Sequence, residues 1–324
     1  MRKCWAVTGL LLLSMLAGGA HASTPDRRIA LTVDDLPWQG LEARDEPELA
    51  TLHARLLSAL TQAGIPVIGF VNENKLEVDG VPQPARLQLL RDWLAAGLAL
   101  GNHTYGHLDL HTVTRHDYQQ DILRGETQLR PLLAESGQAL RWFRHPYLHA
   151  GQSAQAREEL QAFLGQHGYR VAPVTVDNSE WIWALAYDRV RESDADAAQR
   201  EALLRRLREG YVPYMLNKLD YNEQRSAQLL GRLPAQAWLI HANALNADSV
   251  GELVAATHRR GYRFITLDQA LEDPAYQRAD DYNGGAGISW IQRWAMTEKM
   301  PRSFYADEPL TPAWVLSLAG VDEE

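Results

Sequence analysis

The sequence has one cysteine, Cys4, near its start. Without a second thiol the chain can form neither an internal disulfide nor a thiolate metal cage, so stability must come from an ordinary hydrophobic core. Long apolar runs are equally scarce. The single candidate, from Trp5 to Ala17, is shorter than the ~20 residues that a membrane-spanning helix needs. It follows Arg2 and Lys3, and Ala20-His21-Ala22 fits an A-x-A cleavage site before Ser23. Residues 1–22 therefore read as a secretory signal peptide, which implies a periplasmic or secreted protein without stable membrane insertion after cleavage. Long basic runs are missing too. The formal net charge of -9 becomes -11 once Arg2 and Lys3 are removed. Nucleic acid and anionic lipid, which are bound through clustered Lys and Arg, are disfavoured as partners. No internal repeat or low-complexity tract is present. The remaining ~300 residues suffice for one large α/β domain.

From Arg27 to about Glu272, short apolar strands alternate with amphipathic helices. Ile29–Val33 reads as a strand ending at Asp34-Asp35. Leu52, Leu56 and Leu60 mark one face of a helix, and Val67–Val71 reads as the next strand. The pattern continues with a long helix over about Arg115–Leu133, a strand over Arg141–Arg144, a helix from about Ala154 and a strand over Arg170–Val176. Strands at Ala237–Ile240 and Tyr262–Ile265 close the series. Such alternation implies βαβ units and a mostly parallel sheet. Asp34-Asp35, His103, Arg144, Asp177 and His241 each fall just after a strand, the end that carries chemistry in parallel α/β barrels. Trp183–Pro234 is long and charged, and predicts extra helices between two strands. In the tail, Trp290, Trp294 and Trp314 point to docking on the barrel.

His103-Thr104-Tyr105-Gly106-His107 spaces two imidazoles four apart, as on one face of a helical turn, where both could reach one ion. Alone, that spacing more often marks unrelated surface histidines. Asp34-Asp35 ends an apolar strand, where adjacent acids are costly unless paired or metal-bound. Side-chain alternation should send the two acids in opposite directions, one to a metal and one to the substrate as a base. One carboxylate and two imidazoles would make three protein ligands, the number that leaves a catalytic metal open to water.

Five segments resemble, in order, the motifs of the polysaccharide deacetylases (NodB homology, carbohydrate esterase family 4). They are Thr32-Val33-Asp34-Asp35, His103-Thr104-Tyr105-Gly106-His107, Arg144-His145-Pro146-Tyr147, Asp177-Asn178-Ser179-Glu180-Trp181 and Leu239-Ile240-His241. The resemblance implies a distorted (β/α) barrel of about seven parallel strands over residues 23–275, with a helical insertion and a C-terminal extension over 276–324. It implies Asp35, His103 and His107 as ligands to a divalent metal, Zn2+ first, with Co2+, Ni2+ or Mn2+ also suited. Asp34 resembles the general base and Arg144 its partner. Tyr147 would offer its backbone N–H to the oxyanion. His241 resembles the general acid and Asp177 the residue that orients it. Leu239 and Trp181 would wall the acyl pocket. Val33 replaces the usual aromatic of the first motif, and Glu180 replaces the second Asp of the fourth, which leaves Trp181 and the acceptor subsite open. His145 and His149 read as loop or supporting residues, and His111 and His116 as surface residues.

The implied activity is removal of N-linked acetyl groups from a glycan: peptidoglycan, a chitin-like oligomer or an exopolysaccharide. Two other readings remain, hydrolysis of another non-peptide C–N bond, as in cyclic amides or ureides, and a non-catalytic glycan-binding barrel.

Overall fold

Aliphatic runs bounded by polar turns pair as parallel strands, and the amphipathic stretches between them cover the sheet. The computed structural model describes residues 26–40 and 46–324; the signal peptide expected over residues 1–22 lies outside them. The elements are β1 (Arg27–Leu36), α1 (Glu46–Ala63), β2 (Val67–Val71), β3 (Glu77–Val78), β4 (Val81–Pro82), α2 (Pro84–Ala95), β5 (Ala99–Asn102), α3 (Arg115–Arg124), α4 (Leu129–Glu135) and β6 (Trp142–Phe143). They continue with α5 (Ala154–Gln166), β7 (Arg170–Val171), α6 (Glu180–Arg191), α7 (Ala197–Leu230), β8 (Gln236–His241), α8 (Ala244–Arg259), β9 (Tyr262–Phe264), α9 (Leu267–Ala270), α10 (Trp290–Thr297) and α11 (Ala313–Ala319).

Seven strands form one sheet in the order β7-β6-β5-β2-β1-β8, with β9 pairing the start of β1. All its pairings are parallel. All five residues of β2 are buried, as in a sheet covered on both faces. Residues 170–176 close the sheet on itself. Ala172 N–H donates to Phe143 O of β6, whereas Thr175 and Val176 donate to Ala237 O of β8, and Val176 bridges Trp238. Pro173 stands at the crossing and cannot donate to a ladder, so the expected strand over Arg170–Val176 breaks into β7 and an isolated bridge. The result is a distorted barrel.

Leu49, Leu52, Leu56 and Leu60 of α1 are buried in one core with Val250, Leu253 and Val254 of α8. Each such side chain contributes about 1.5–3 kcal/mol by leaving water. The long helix expected over Arg115–Leu133 is instead two, α3 and α4, separated at Gly125. A Cβ at Gly125 would stand 2.6 Å from the Thr104 carbonyl carbon and 2.7 Å from Tyr105 N. The helix therefore ends where the His103–His107 loop lies against it. The strand expected over Arg141–Arg144 shortens to β6.

Helices α6 and α7 form the insertion before β8. In the C-terminal segment, Trp290 and Trp294 are buried with Leu148, Val174 and Leu239, and Trp314 stands edge-on to Trp183 at 5.7 Å. Lys218 of α7 is buried and pairs with Glu308 and Glu324, both at 2.8 Å. Among the described residues, no helix is long and apolar enough to cross a membrane.

Candidate active site

The carboxyl ends of β1, β5, β6 and β8 deliver the chemistry-bearing residues to one place. Asp34 stands opposite His241 in the β1–β8 register, two positions on from Thr32 opposite Leu239. Side chains two apart on a strand share a face, so Asp34 and His241 point the same way. Simple alternation would send Asp35 to the other face. The β1–β2 register shifts between Val33 and Leu36, and Asp35 takes a left-handed φ of 70°. This irregularity turns Asp35 back beside its neighbour. His103 Nε2 lies 3.8 Å from Asp34 Oδ2 and 3.9 Å from Asp35 Oδ1.

The His103–His107 segment is a loop rather than the helical turn that its spacing suggests. Thr104 and His107 have φ of 65° and 54°, and the two rings meet edge to face at 4.9 Å. Asn72 Nδ2 donates to His103 O at 2.6 Å, and Thr104 N–H donates to Asn102 Oδ1 at 2.7 Å. Of the eight non-glycine residues with left-handed φ among the described residues, Asp35, Thr104, His107, Tyr147 and Leu148 lie here. Each costs about 1–3 kcal/mol, and such strain persists where surrounding contacts over-determine the backbone.

Asp35, His103 and His107 fit a metal ion. One donor atom from each lies within 4.8 Å of the other two, and His107 Nε2 is 3.6 Å from Asp35 Oδ1. His103 Nδ1–H donates to Arg144 O at 2.9 Å, which fixes the ring and leaves Nε2 with a free lone pair. Burial lowers the pKa of both histidines, well below the ordinary value for His103, favouring the neutral form that ligates. Asp35 Oδ1 is shielded from solvent and accepts no directed hydrogen bond. Burial alone would raise its pKa, but Lys75 first, then His107, His241 and His103, hold it far below the carboxylate range. Lys75 Nζ is 3.2 Å from Oδ1, a contact that no motif announced.

Arg144 is fully buried. Its Nη1 donates to both Asp34 oxygens at 3.2 and 3.1 Å, its Nη2 to Thr32 Oγ1 at 3.1 Å and its Nε to Ala172 O at 2.8 Å. Burial nonetheless pushes the Asp34 carboxyl up to about 6, against the pull of Arg144 and His241.

The carboxylate on His241 is Glu180, not Asp177. His241 Nδ1–H donates to Glu180 Oε2 at 2.7 Å, while Glu180 Oε1 accepts from Asn243 Nδ2 at 2.5 Å and Asn246 Nδ2 at 2.7 Å. Asp177 accepts from the Asn178 N–H, and burial raises its carboxyl to about 6. The extra methylene of Glu180 gives the reach from the start of α6, and only the fold shows which of the two acids faces the ring. Burial opposes a charged His241, but Glu180 foremost, with Asp35 and Asp34, pushes it up to about 9.

Tyr147 lies in the turn after β6 with φ 56°, its ring edge-on to His107 at 4.6 Å. Trp181 is 41% exposed beside Glu180, and Leu239 is buried on the His241 face of β8. His145 is buried against Tyr118 OH, and His116 is exposed. His111 is partly exposed, but its ring stacks on His149 at 3.9 Å, with both nitrogens shielded from solvent.

Residues 21–172 match the family model described as polysaccharide deacetylase. Over that stretch the chain resembles the polysaccharide deacetylases. A chitin deacetylase of Colletotrichum lindemuthianum is 26% identical over 190 residues, covering 53% of this chain and 67% of that relative. The peptidoglycan deacetylase PdaC of Bacillus subtilis superposes with a TM-score of 0.48 at 18% identity, covering 86% of this chain and 97% of that structure. A family 4 carbohydrate esterase of Streptomyces lividans superposes with a TM-score of 0.45 at 17% identity, covering 76% and 97%. The matched polysaccharide deacetylase stretch holds Asp34, Asp35, His103, His107, Arg144 and Tyr147. It ends before Glu180 and His241, so the acid half of the site rests on this chain's own geometry.

Proposed function

We propose that this protein is a polysaccharide deacetylase, an exported, metal-dependent hydrolase that removes acetyl groups from the amide nitrogens of an N-acetylated poly- or oligosaccharide. One observation carries the reading: three metal-type donors, Asp35, His103 and His107, converge beside Asp34, which faces His241 in strand register. Asp35, His103 and His107 would hold a divalent ion, Zn2+ first and Co2+, Ni2+ or Mn2+ as alternatives, which supplies Lewis acidity and lowers the pKa of water.

The residues divide the remaining work. Asp34 takes a proton from the attacking water. Its pKa of about 6 is high enough to accept that proton and low enough to be free at neutral pH. Arg144 fixes the carboxylate. Tyr147 offers its backbone N–H where negative charge grows on the acyl oxygen. His241, charged at neutral pH, gives its Nε2 proton to the departing nitrogen as the C–N bond breaks. Glu180 keeps the ring charged and oriented. Leu239 and Trp181 flank the acyl group.

The test is acetate release from N-acetylglucosamine oligomers, peptidoglycan fragments and an acetylated exopolysaccharide, with small cyclic amides alongside. Release should stop on chelation, return with Zn2+, and fall at least about 10²-fold in Asp34→Ala and His241→Ala. Release that survives both chelation and Asp34→Ala would sink the reading. Export is tested by N-terminal sequencing of protein recovered outside the cytoplasm, with Ser23 as the expected first residue.

A further inference from the structure

Two residues beyond His107 the chain supplies a second set of metal-type donors that the proposed chemistry does not use. We infer that Asp109, His111 and His149 form a second divalent-metal site at the rim of the cleft. One donor atom from each lies within 4.8 Å of the other two. His149 Nδ1–H donates to Asp109 Oδ1 at 2.6 Å, and the same oxygen accepts the His111 backbone N–H at 2.8 Å. The two imidazoles lie nearly parallel, at 11°, and since ring-nitrogen lone pairs lie in the ring plane, one ring must turn for both to meet a single ion.

A stacked pair with one Asp–His hydrogen bond would explain His149 but not His111. Both His111 ring nitrogens are shielded from solvent and make no well-directed hydrogen bond, although the Gly285 backbone acts on the ring. A ring nitrogen left without a partner costs about 1–3 kcal/mol, which a bound cation would recover. Two imidazoles and one carboxylate suit Zn2+ and its neighbours Co2+, Ni2+ and Cu2+, not the all-oxygen preference of Ca2+ or Mg2+. All three residues are half-buried, so water can complete the coordination.

The site joins two pieces of the cleft. Asp109 and His111 continue the loop that carries His107, and His149 ends the turn that carries Tyr147. The C-terminal segment braces the same turn: a Cβ on Gly287 would fall 1.8 Å from Tyr147 O and 3.4 Å from His149 Cδ2. A cation here would fix His107 relative to Tyr147, independently of what the cleft hydrolyses.

The experiment uses untagged protein stripped with chelator and titrated with Zn2+ alone, with bound metal counted by mass spectrometry. Wild type should bind two equivalents. His111→Gln/His149→Gln should keep one, and Asp35→Asn should keep one. His111→Phe preserves the ring stack while removing both nitrogens, and it covers the case in which the double variant fails to fold; it too should keep one. Two equivalents persisting in the folded His111 variants would overturn the inference. So would a single equivalent in wild type that only Asp35→Asn removes. A single equivalent that His111→Phe removes and Asp35→Asn spares would uphold this site and overturn the catalytic metal instead.

Discussion

Replacing Glu180 by glutamine isolates the acid half of the site. The substitution keeps the shape, so the amide oxygen can still accept from Asn243 and Asn246, as Glu180 Oε1 does at 2.5 and 2.7 Å. That turns the NH2 group toward His241 Nδ1, which must then accept rather than donate. The ring becomes neutral, and a neutral imidazole is a far weaker acid. In the native site His241 rises from its ordinary 6.5 to about 9, chiefly through Glu180 acting against burial. At about 1.4 kcal/mol per pH unit, that rise is worth about 3 kcal/mol. A bound cation repels the imidazolium and lowers the starting value, but the direction of the change remains. The basic limb of kcat/KM should move about two pH units lower in Glu180→Gln, and the rate at neutral pH should fall by about 10²- to 10⁴-fold.

The same linkage predicts stability. A raised pKa contributes fully below 6.5 and is lost as pH climbs through about 9, so the variant's deficit in unfolding free energy should be greatest below 6.5 and fade above 9. Asp177→Asn is the control, because Asp177 bonds the Asn178 N–H rather than the ring. Measured pH profiles of acetate release for the three proteins decide the matter. An unmoved limb in Glu180→Gln, or an equal move in Asp177→Asn, would refute the assignment.

Asp34→Asn should remove the acidic limb: wild-type activity falls as pH drops through about 6, where the buried carboxyl protonates, and the variant should show only a low, flat rate there. Arg144→Ala leaves the buried Asp34 carboxylate unpaired and should cost about 3–5 kcal/mol in urea unfolding at neutral pH. Lys75→Met removes the ammonium 3.2 Å from Asp35 Oδ1 and should tighten zinc binding about 5- to 10-fold by calorimetry, since a bound ion no longer competes with that pair. Gly287→Ala places a methyl against Tyr147 O and should lower kcat with a stability loss of about 1–3 kcal/mol, seen as a lower thermal midpoint.

The sequence by itself determined the parallel α/β architecture, because period-2 and period-3.6 apolar patterns alternate from Arg27 onward, and it placed Asp34, Asp35, His103, Arg144 and His241 at strand ends, because strand ends are local features. Only the tertiary structure decided how those residues meet. The β1 irregularity at Asp35 and the left-handed residues of the His103–His107 loop arise where backbone strain is held by distant contacts, which no periodicity records. The choice of Glu180 over Asp177, the approach of Lys75 to Asp35 and the stacking of His111 on His149 join residues 61, 40 and 38 positions apart in sequence. Side-chain partners at that separation are set by how strands and loops stack in space, and a one-dimensional pattern holds no information about that distance.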